Sequence, residues 1–211
     1  MSYTDRRAAG TALARELADY AGRPDVVVLG LVRGGVTVAD EVARALSAPL
    51  DVLVVRKLGV PWAPEVAFGA MGPGGVVVHN PEVESRLSSA DVAGVTAKES
   101  AELDRRERLY RGDRPPLDLT GKVAVIVDDG LATGATALAA VEVARRLRAV
   151  EVVLAVPVAA PDSLARVRRA ADHAVCPLAP PTFGAVSQFY LEFSQVRDDE
   201  VVSQLAEANL G

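Results

Sequence analysis

The residues best suited to chemistry in this sequence lie together in the segment Val125–Thr136. Two adjacent acids, Asp128 and Asp129, follow an apolar run, and a Thr-Gly-Ala-Thr turn comes shortly after them. Paired acids can hold neighbouring hydroxyl groups, whereas threonine hydroxyls and free N–H groups at a helix start bind an anion. Gly134 lets the backbone approach that anion closely. A ribose 5-phosphate would satisfy both halves of the segment, whereas an ordinary helix cap needs only one such residue.

Short apolar runs alternate with amphipathic stretches along the chain. Because they are short and rich in valine, four runs predict buried strands: Val26–Leu31, Leu50–Val55, Val123–Val127 and Val152–Val156. Helices are predicted at Asp5–Tyr20, Val36–Leu46, Thr136–Leu147, Ser163–Ala171 and Asp198–Ala208. The alternation predicts an α/β fold of three layers, in which helices flank a mostly parallel, twisted sheet. The paired acids then lie at the carboxyl edge of that sheet, where such folds bind ligands.

We expect residues 1–211 to form a single domain with two irregular parts. The segment 59–75 contains three prolines and five glycines, which predicts a mobile loop that leads into a strand at Val76–His79. Small elements around 174–193 are expected to form a hood. The segment Ser89–Arg111 predicts one long, charged helix. Its few apolar residues favour contact with another element or with a second subunit, and so a possible homodimer; they are Val92, Val95, Leu103 and Leu109.

Composition excludes several classes of function. The formal net charge of −5 argues against a general nucleic-acid binder, which needs clustered basic residues. Cys176 is the only cysteine, so an intrachain disulfide and a thiolate zinc cluster are excluded. His79 and His173 are far apart, and we expect neither to be a catalytic base or a metal ligand. No apolar run reaches the ~20 residues of a membrane span, and the polar start is unlike a signal peptide. These features predict a cytoplasmic protein.

The segment Val125–Thr136 resembles the signature of type I phosphoribosyltransferases: an apolar strand, two acids, a short linker and Thr-Gly-x-Thr. The resemblance implies that Asp128 and Asp129 bind the ribose hydroxyls of 5-phosphoribosyl-1-pyrophosphate (PRPP) and contact Mg²⁺, directly or through water. It also implies that the 5-phosphate is cradled by Ala132, Thr133, Gly134, Ala135 and Thr136. One departure is Gly130, where many members carry Val or Ile. The whole pattern most resembles a group of predicted bacterial phosphoribosyltransferases without a settled acceptor.

A second candidate segment, Leu29–Gly35, follows the first strand and opens a helix. It lacks the spacing of a dinucleotide fingerprint, and G-K-[ST] occurs nowhere in the chain, so Rossmann and P-loop interpretations are weak. By itself the segment is equally typical of a tight turn. The resemblance implies that Arg33, Gly34 and Gly35 bind pyrophosphate through backbone N–H groups. It also implies a cis peptide bond at Val32–Arg33.

Arg56 and Lys57 end the second strand, just before the segment 59–75. A basic strand end in solvent is one interpretation. The resemblance implies instead that Lys57 reaches the pyrophosphate and that the flexible segment closes over the site to exclude water. A leaving pyrophosphate needs cations beside it. The candidate catalytic set is therefore Lys57, Arg33, Asp128 and Asp129.

The segment Ala185–Phe193 resembles the part of hypoxanthine-type members that frames the purine. The resemblance implies that Val186 or Phe189 contacts the base and that Glu192 lies near Mg²⁺. The departures are Ser187 in place of a usual Gly and Glu192 in place of a usual Asp. Simple packing of the apolar residues of this segment explains it equally well.

Three functions remain open at this point. The leading hypothesis is Mg²⁺-dependent transfer of the 5-phosphoribosyl group from PRPP to a purine or pyrimidine base, with release of pyrophosphate. A regulatory protein that senses PRPP or a nucleotide without turnover is the second. The third is hydrolysis or phosphorolysis in the same pocket. Lys57 and the segment after it favour the enzyme, because a sensor has less need of cations at the leaving group.

Overall fold

The computed structural model describes residues 2–209. Its strands in chain order are β1 (Val26–Leu31), β2 (Leu50–Leu53), β3 (Arg56–Val60), β4 (Ala63–Gly72), β5 (Val76–His79), β6 (Val123–Val127), β7 (Glu151–Ala155) and β8 (His173–Val175). Its α-helices are α1 (Arg6–Arg15), α2 (Gly34–Leu46), α3 (Pro81–Glu84), α4 (Ser89–Arg111), α5 (Ala135–Arg146), α6 (Pro161–Ala170) and α7 (Asp198–Ala208). None of these helices is long and apolar enough to cross a membrane.

The main sheet has five strands in the order β2-β1-β6-β7-β8, all parallel. Successive side chains of β6 point to opposite faces, so Val125 packs with α1, α2 and α7, whereas Ile126 packs with α5 and α6. Each face therefore has its own apolar core, and β6 is buried along its whole length. The predicted three-layer α/β fold with a mostly parallel sheet is confirmed.

The segment 59–75, which the sequence predicted to be a loop, is mostly strand. It belongs to a second, antiparallel sheet of three strands in the order β3-β4-β5. Phe68 and Leu58 are fully buried in the core below this sheet. Pro64 lies near the start of β4, and the pairing is irregular at Gly59, whose close approach to Pro64 leaves no room for a side chain. Prolines and glycines therefore occupy turns and irregular positions here without preventing strand pairing.

Helix α4 has the bounds that the sequence predicted. Ser88 caps its start by accepting a hydrogen bond from the Asp91 N–H, and Gly112, with φ of +56°, ends it. Leu103 is buried against the core of the same chain. Leu109 is exposed, so it does not take part in the packing of α4 within this chain. Whether α4 also contacts a second subunit stays a prediction.

The expected hood at 174–193 begins later than predicted, because β8 pairs with β7 and so belongs to the main sheet. The remainder consists of turns and a short 3₁₀ helix, Val186–Phe189. It is tied to the start of the chain, since the backbone of Tyr3 pairs with that of Tyr190 and the two rings lie 5.8 Å apart. The first and last parts of the chain therefore meet beside the carboxyl edge of the sheet.

Candidate functional site

The candidate site lies where β1 and β6 end side by side. Gly30 of β1 is paired with Val127 of β6, so the loop that opens α2 and the two acids after β6 are neighbours. Glycine is needed for this approach. A Cβ on Gly34 would overlap the Asp129 carboxylate, and one on Gly35 would come 2.7 Å from the Val127 carbonyl oxygen. The fold thus brings together Gly34, Gly35 and both acids, as the sequence predicted.

Arg6 is the partner of the second acid. Its Nε donates to Asp129 Oδ2 at 2.8 Å, and the two side chains keep only 10% and 16% exposure. Arg6 Nη1 also donates to the Ser194 carbonyl oxygen at 2.7 Å, and its guanidinium lies 3.9 Å from the centre of the Phe193 ring. Helix α1 therefore supplies the positive charge that holds Asp129 in one orientation.

Both acids are harder to ionise than an ordinary carboxyl group. Burial raises the pKa of Asp128 well above its ordinary value, and the charge of Asp129 raises it further. Burial also raises the pKa of Asp129, although the hydrogen bond from Arg6 opposes that effect. Asp128 Oδ1 accepts a hydrogen bond from the Asp129 N–H at 2.9 Å. A ligand that supplies hydroxyl donors or a cation would therefore stabilise both carboxylates.

The turn after the acids has the form expected of an anion cradle. Gly134 has φ of +76° and directly precedes α5. Ala132, Thr133 and Thr136 are exposed, so a ligand has access to the turn. The first turn of α5 leaves backbone N–H groups without helical partners, and the helix dipole favours an anion there. The predicted cradle residues are thus contiguous at one helix start: Ala132, Thr133, Gly134, Ala135 and Thr136.

The predicted cis peptide bond is present at Val32–Arg33, at the start of α2. The Arg33 side chain is half-exposed, and its Nη1 lies 3.7 Å from Asp198 Oδ1. Asp198 also accepts a hydrogen bond from the Tyr110 hydroxyl at 2.7 Å. Arg33 therefore points towards the start of α7, whereas the backbone beside it faces the two acids. A hollow of about 350 Å³ is bordered by Arg33, Gly34, Arg6 and the stretch 193–196.

Arg56 and Lys57 have different roles although they are adjacent. Arg56 is bound to Glu99 of α4, with Nη2 2.6 Å from Oε2, and so fastens β3 to that helix. Lys57 is exposed and pairs with no acid among residues 2–209. Its strand follows β2, which ends beside β1 at the carboxyl edge. Lys57 is thus an exposed cation on the strand that follows β2, and its contact with an anionic ligand stays a prediction.

Val186 and Phe189 belong to the 3₁₀ helix that packs against Gly130, the residue after the two acids. The methyl groups of Val186 occupy the space beside Gly130: a Cβ there would come 2.5 Å from Val186 Cγ1. This contact gives a reason for the glycine at a position where the resembled family carries larger residues. Phe189 stacks on Phe183 with ring centres 5.3 Å apart. The two predicted base-contacting residues are therefore partly used in packing this segment.

Glu192 does not join the two acids. Its backbone N–H donates to the Thr4 carbonyl oxygen at 2.9 Å, and its exposed side chain borders a hollow that also contains Arg7 and Glu200. No group of three or more His, Cys, Asp or Glu side chains in residues 2–209 is arranged to hold a metal ion. The expected three-residue metal set is therefore not assembled. Of the predicted metal-binding residues, Asp128 and Asp129 offer adjacent hard oxygen ligands, a number that suits Mg²⁺ when a substrate supplies the rest.

Sequence reasoning missed two residues that build the site. Arg6 lies in a polar stretch without a motif, and its partner Asp129 is 123 positions away. Tyr190 donates from its hydroxyl to the Asp129 carbonyl oxygen at 2.6 Å. Burial and the nearby Asp129 charge raise the pKa of Tyr190, which keeps that donor protonated. The sequence signal for Tyr190 was its place in the apolar segment Ala185–Phe193, because a tyrosine that becomes buried usually finds a hydrogen-bond partner for its hydroxyl.

Comparison with known proteins gives a consistent result. A model of the phosphoribosyl transferase domain matches residues 2–194. A protein of Mycobacterium tuberculosis, provisionally named a phosphoribosyl transferase and found in strains CDC 1551 and H37Rv, is 53% identical over 209 residues. That match covers 98% of this chain and 47% of the relative, so the chain spans about half the length of the curated relatives it matches. The crystal structure of TT1426 from Thermus thermophilus is 43% identical, with a TM-score of 0.90 and coverage of 98% and 99% of the two chains.

Proposed function

Because the chain belongs to the family of phosphoribosyl transferase domains, we propose that it transfers the 5-phosphoribosyl group of PRPP to a nitrogenous base and releases pyrophosphate. The observation that carries the proposal is the meeting of two buried acids, an anion-binding turn and a glycine loop at one sheet edge. Each matches a different part of PRPP: the diol, the 5-phosphate and the pyrophosphate.

In this scheme the acid pair holds the ribose of PRPP, and the turn after the acids holds its 5-phosphate. Asp128 and Asp129 accept hydrogen bonds from the ribose hydroxyls, and Arg6 keeps Asp129 oriented for this role. The 5-phosphate is held by N–H groups and threonine hydroxyls from Ala132 to Thr136. Fixing the sugar at both ends leaves C1 in a defined position, which removes much of the entropic barrier to reaction.

The pyrophosphate is bound on the other side of the sugar. The N–H groups of the Arg33–Gly35 loop and the ammonium of Lys57 face its charge as the bond from C1 to the pyrophosphate oxygen breaks. When bound, Mg²⁺ would contact Asp128, Asp129 and substrate oxygens, and would neutralise part of the charge that develops on the leaving group. No covalent nucleophile is required, because the acceptor nitrogen forms its bond at C1 directly.

The acceptor is a purine or pyrimidine base in this proposal, approached from the side of Val186 and Phe189. Their apolar surfaces suit a flat aromatic ring. The small antiparallel sheet and the segment 176–193 flank the substrates within one domain. PRPP and the base are then the partners, rather than a nucleic acid, and a cytoplasmic location supplies both.

Calorimetric titration with PRPP, with and without Mg²⁺, tests the first step. We expect Mg²⁺-dependent binding to the wild type and its loss in the double variant Asp128→Asn/Asp129→Asn. Asp113→Asn is a matched control, because Asp113 is an exposed acid that lies outside the predicted site residues. Wild-type protein that is folded but does not bind PRPP would refute the proposal.

Pyrophosphate release in the presence of a panel of bases tests the second step. Release that requires one base identifies the acceptor and supports transfer. Release at an equal rate without any base would assign hydrolysis instead. Tight PRPP binding without release of pyrophosphate in the presence of any base in the panel would assign a sensor. Either hydrolysis or sensing would replace the transferase assignment.

A further inference from the structure

Helix α6 and the residue before it hold three successive carbonyl groups of the turn that follows the acids. The Ala160 N–H donates to the Leu131 carbonyl oxygen at 2.8 Å. Ser163 Oγ donates to the Ala132 carbonyl oxygen at 2.5 Å, and Arg166 Nη2 donates to that of Thr133 at 2.6 Å. All three carbonyl groups of Leu131–Thr133 therefore point towards α6.

This arrangement fixes where the N–H groups of the turn point. In a trans peptide the carbonyl and the following N–H point in opposite directions, and the one cis bond among residues 2–209 is Val32–Arg33. The N–H groups of Ala132, Thr133 and Gly134 are consequently directed away from α6. None of them donates to another of the described residues. Successive free N–H groups on one side of a turn form an anion-binding concavity.

Ser163 and Arg166 act together in holding the turn. Arg166 Nη2 also donates to Ser163 Oγ at 3.0 Å, so the hydroxyl and the guanidinium are joined to each other as well as to the turn. Ser163 is buried, with 3% exposure, although serine is usually exposed. Neither side chain caps α6, because Ser163 and Arg166 donate to the carbonyls of Ala132 and Thr133, which lie outside that helix.

We propose that Ser163 and Arg166 are positioning residues for phosphate binding, which hold the carbonyls of Ala132 and Thr133 so that the turn's N–H groups converge on the anion. The proposal rests on the proposed function, since it assigns the 5-phosphate to this turn. Neither side chain contacts the phosphate in this scheme. Both act through the backbone between them and the ligand.

The test compares ribose 5-phosphate with inorganic pyrophosphate as calorimetric probes of the full chain, each with Mg²⁺ present. Arg166→Met and Ser163→Ala should each bind ribose 5-phosphate about ten-fold more weakly, the effect of losing one good hydrogen bond. Pyrophosphate affinity should be unchanged, because pyrophosphate is assigned to the Arg33–Gly35 loop, which neither Ser163 nor Arg166 holds. Arg169→Met is the matched control, since Arg169 is exposed on the same helix.

High salt separates positioning from simple attraction by the Arg166 charge. At 1 M salt the Debye length falls to about 3 Å, so a contribution from the exposed charge alone would disappear. We expect the deficit of Arg166→Met to persist there. A deficit that vanishes at high salt, or an equal loss for pyrophosphate, would overturn the positioning role.

Binding by the wild type separates failure of the proposed function from failure of the positioning role. If it binds neither probe, the proposed function fails and this inference fails with it. If it binds both probes and the two variants bind ribose 5-phosphate normally, only the inference fails. Arg166→Met keeps the test decisive if Ser163→Ala does not fold, because Arg166 is exposed.

Discussion

Replacing Arg6 with methionine should destabilise the protein mainly by leaving the Asp129 carboxylate without its cation. The pair is 2.8 Å apart, and both side chains are largely buried. Removing one partner of a buried pair costs about 3–5 kcal/mol, and we expect about 3 kcal/mol because Asp129 keeps some exposure. In a domain of this size that corresponds to a Tm about 6–12 °C lower. Methionine preserves much of the apolar contact that the arginine stem makes.

The pH dependence of that loss identifies its cause. Burial already raises the pKa of Asp129 in the folded protein, and loss of Arg6 would raise it further. A carboxyl whose pKa is higher in the folded than in the unfolded protein does not affect the free energy of unfolding below the unfolded pKa of about 3.9. Above that pH it destabilises the folded protein increasingly as pH rises. The deficit of Arg6→Met should therefore be large near pH 8 and small near pH 4.

Thermal unfolding followed by circular dichroism measures the effect at both pH values. Arg15→Met, an exposed change on the same helix, should leave Tm unchanged. In an Asp129→Asn background, Arg6→Met should cost much less, since no buried charge is left unpaired. A deficit that is equal at both pH values, or that persists fully in that background, would refute the assigned role of the ion pair.

Three further predictions concern single positions. Asp128→Asn should raise Tm near pH 8, because burial and the neighbouring acid raise the Asp128 pKa and its ionisation opposes folding; the gain should vanish near pH 4, and a lower Tm near pH 8 would contradict this. Gly130→Ala should cost about 1–3 kcal/mol in urea unfolding, because its methyl would meet Val186, and Val186→Ala should restore most of it; additive losses in the double variant would argue against the contact. Lys57→Met should weaken PRPP binding about ten-fold in calorimetry and leave ribose 5-phosphate binding unchanged; equal losses for both ligands would exclude a role at the pyrophosphate.

The main sheet and its helices could be predicted because their signals are local. The valine-rich run Val123–Val127 is a strand with those bounds, and α4 begins after its Ser88 cap and ends before Gly112. The segment 59–75 could not be predicted in this way. Its strands depend on pairing between β4 and β5 and on burial of Phe68, which outweigh the breaking tendency of its prolines and glycines.

In the candidate site, too, the residues with local sequence signals could be predicted and those that meet across long separations could not. Asp128, Asp129 and the turn after them are contiguous in sequence, so one pattern predicts their arrangement. Arg6 meets its partner across 123 positions, and no local pattern encodes that contact. Glu192 was suggested by resemblance alone, and the structure does not group it with the two acids: its backbone is fixed to Thr4 and its side chain is exposed.

The link between the two ends of the chain has a consequence for the order of folding. Arg6 is bound to the Ser194 carbonyl, 188 positions away, so this contact cannot form until residue 194 has been synthesised. Contacts of such long separation form late, after the loop between them has been closed. A nascent chain that has folded β1 and β6 already contains Arg6 and both acids, so the ion pair with Asp129 can form while the contact with Ser194 is still missing. The phosphate turn and the residues of α6 that hold it also precede Ser194 in the chain, so both acids and the turn can be in place while Arg6 still lacks its second contact.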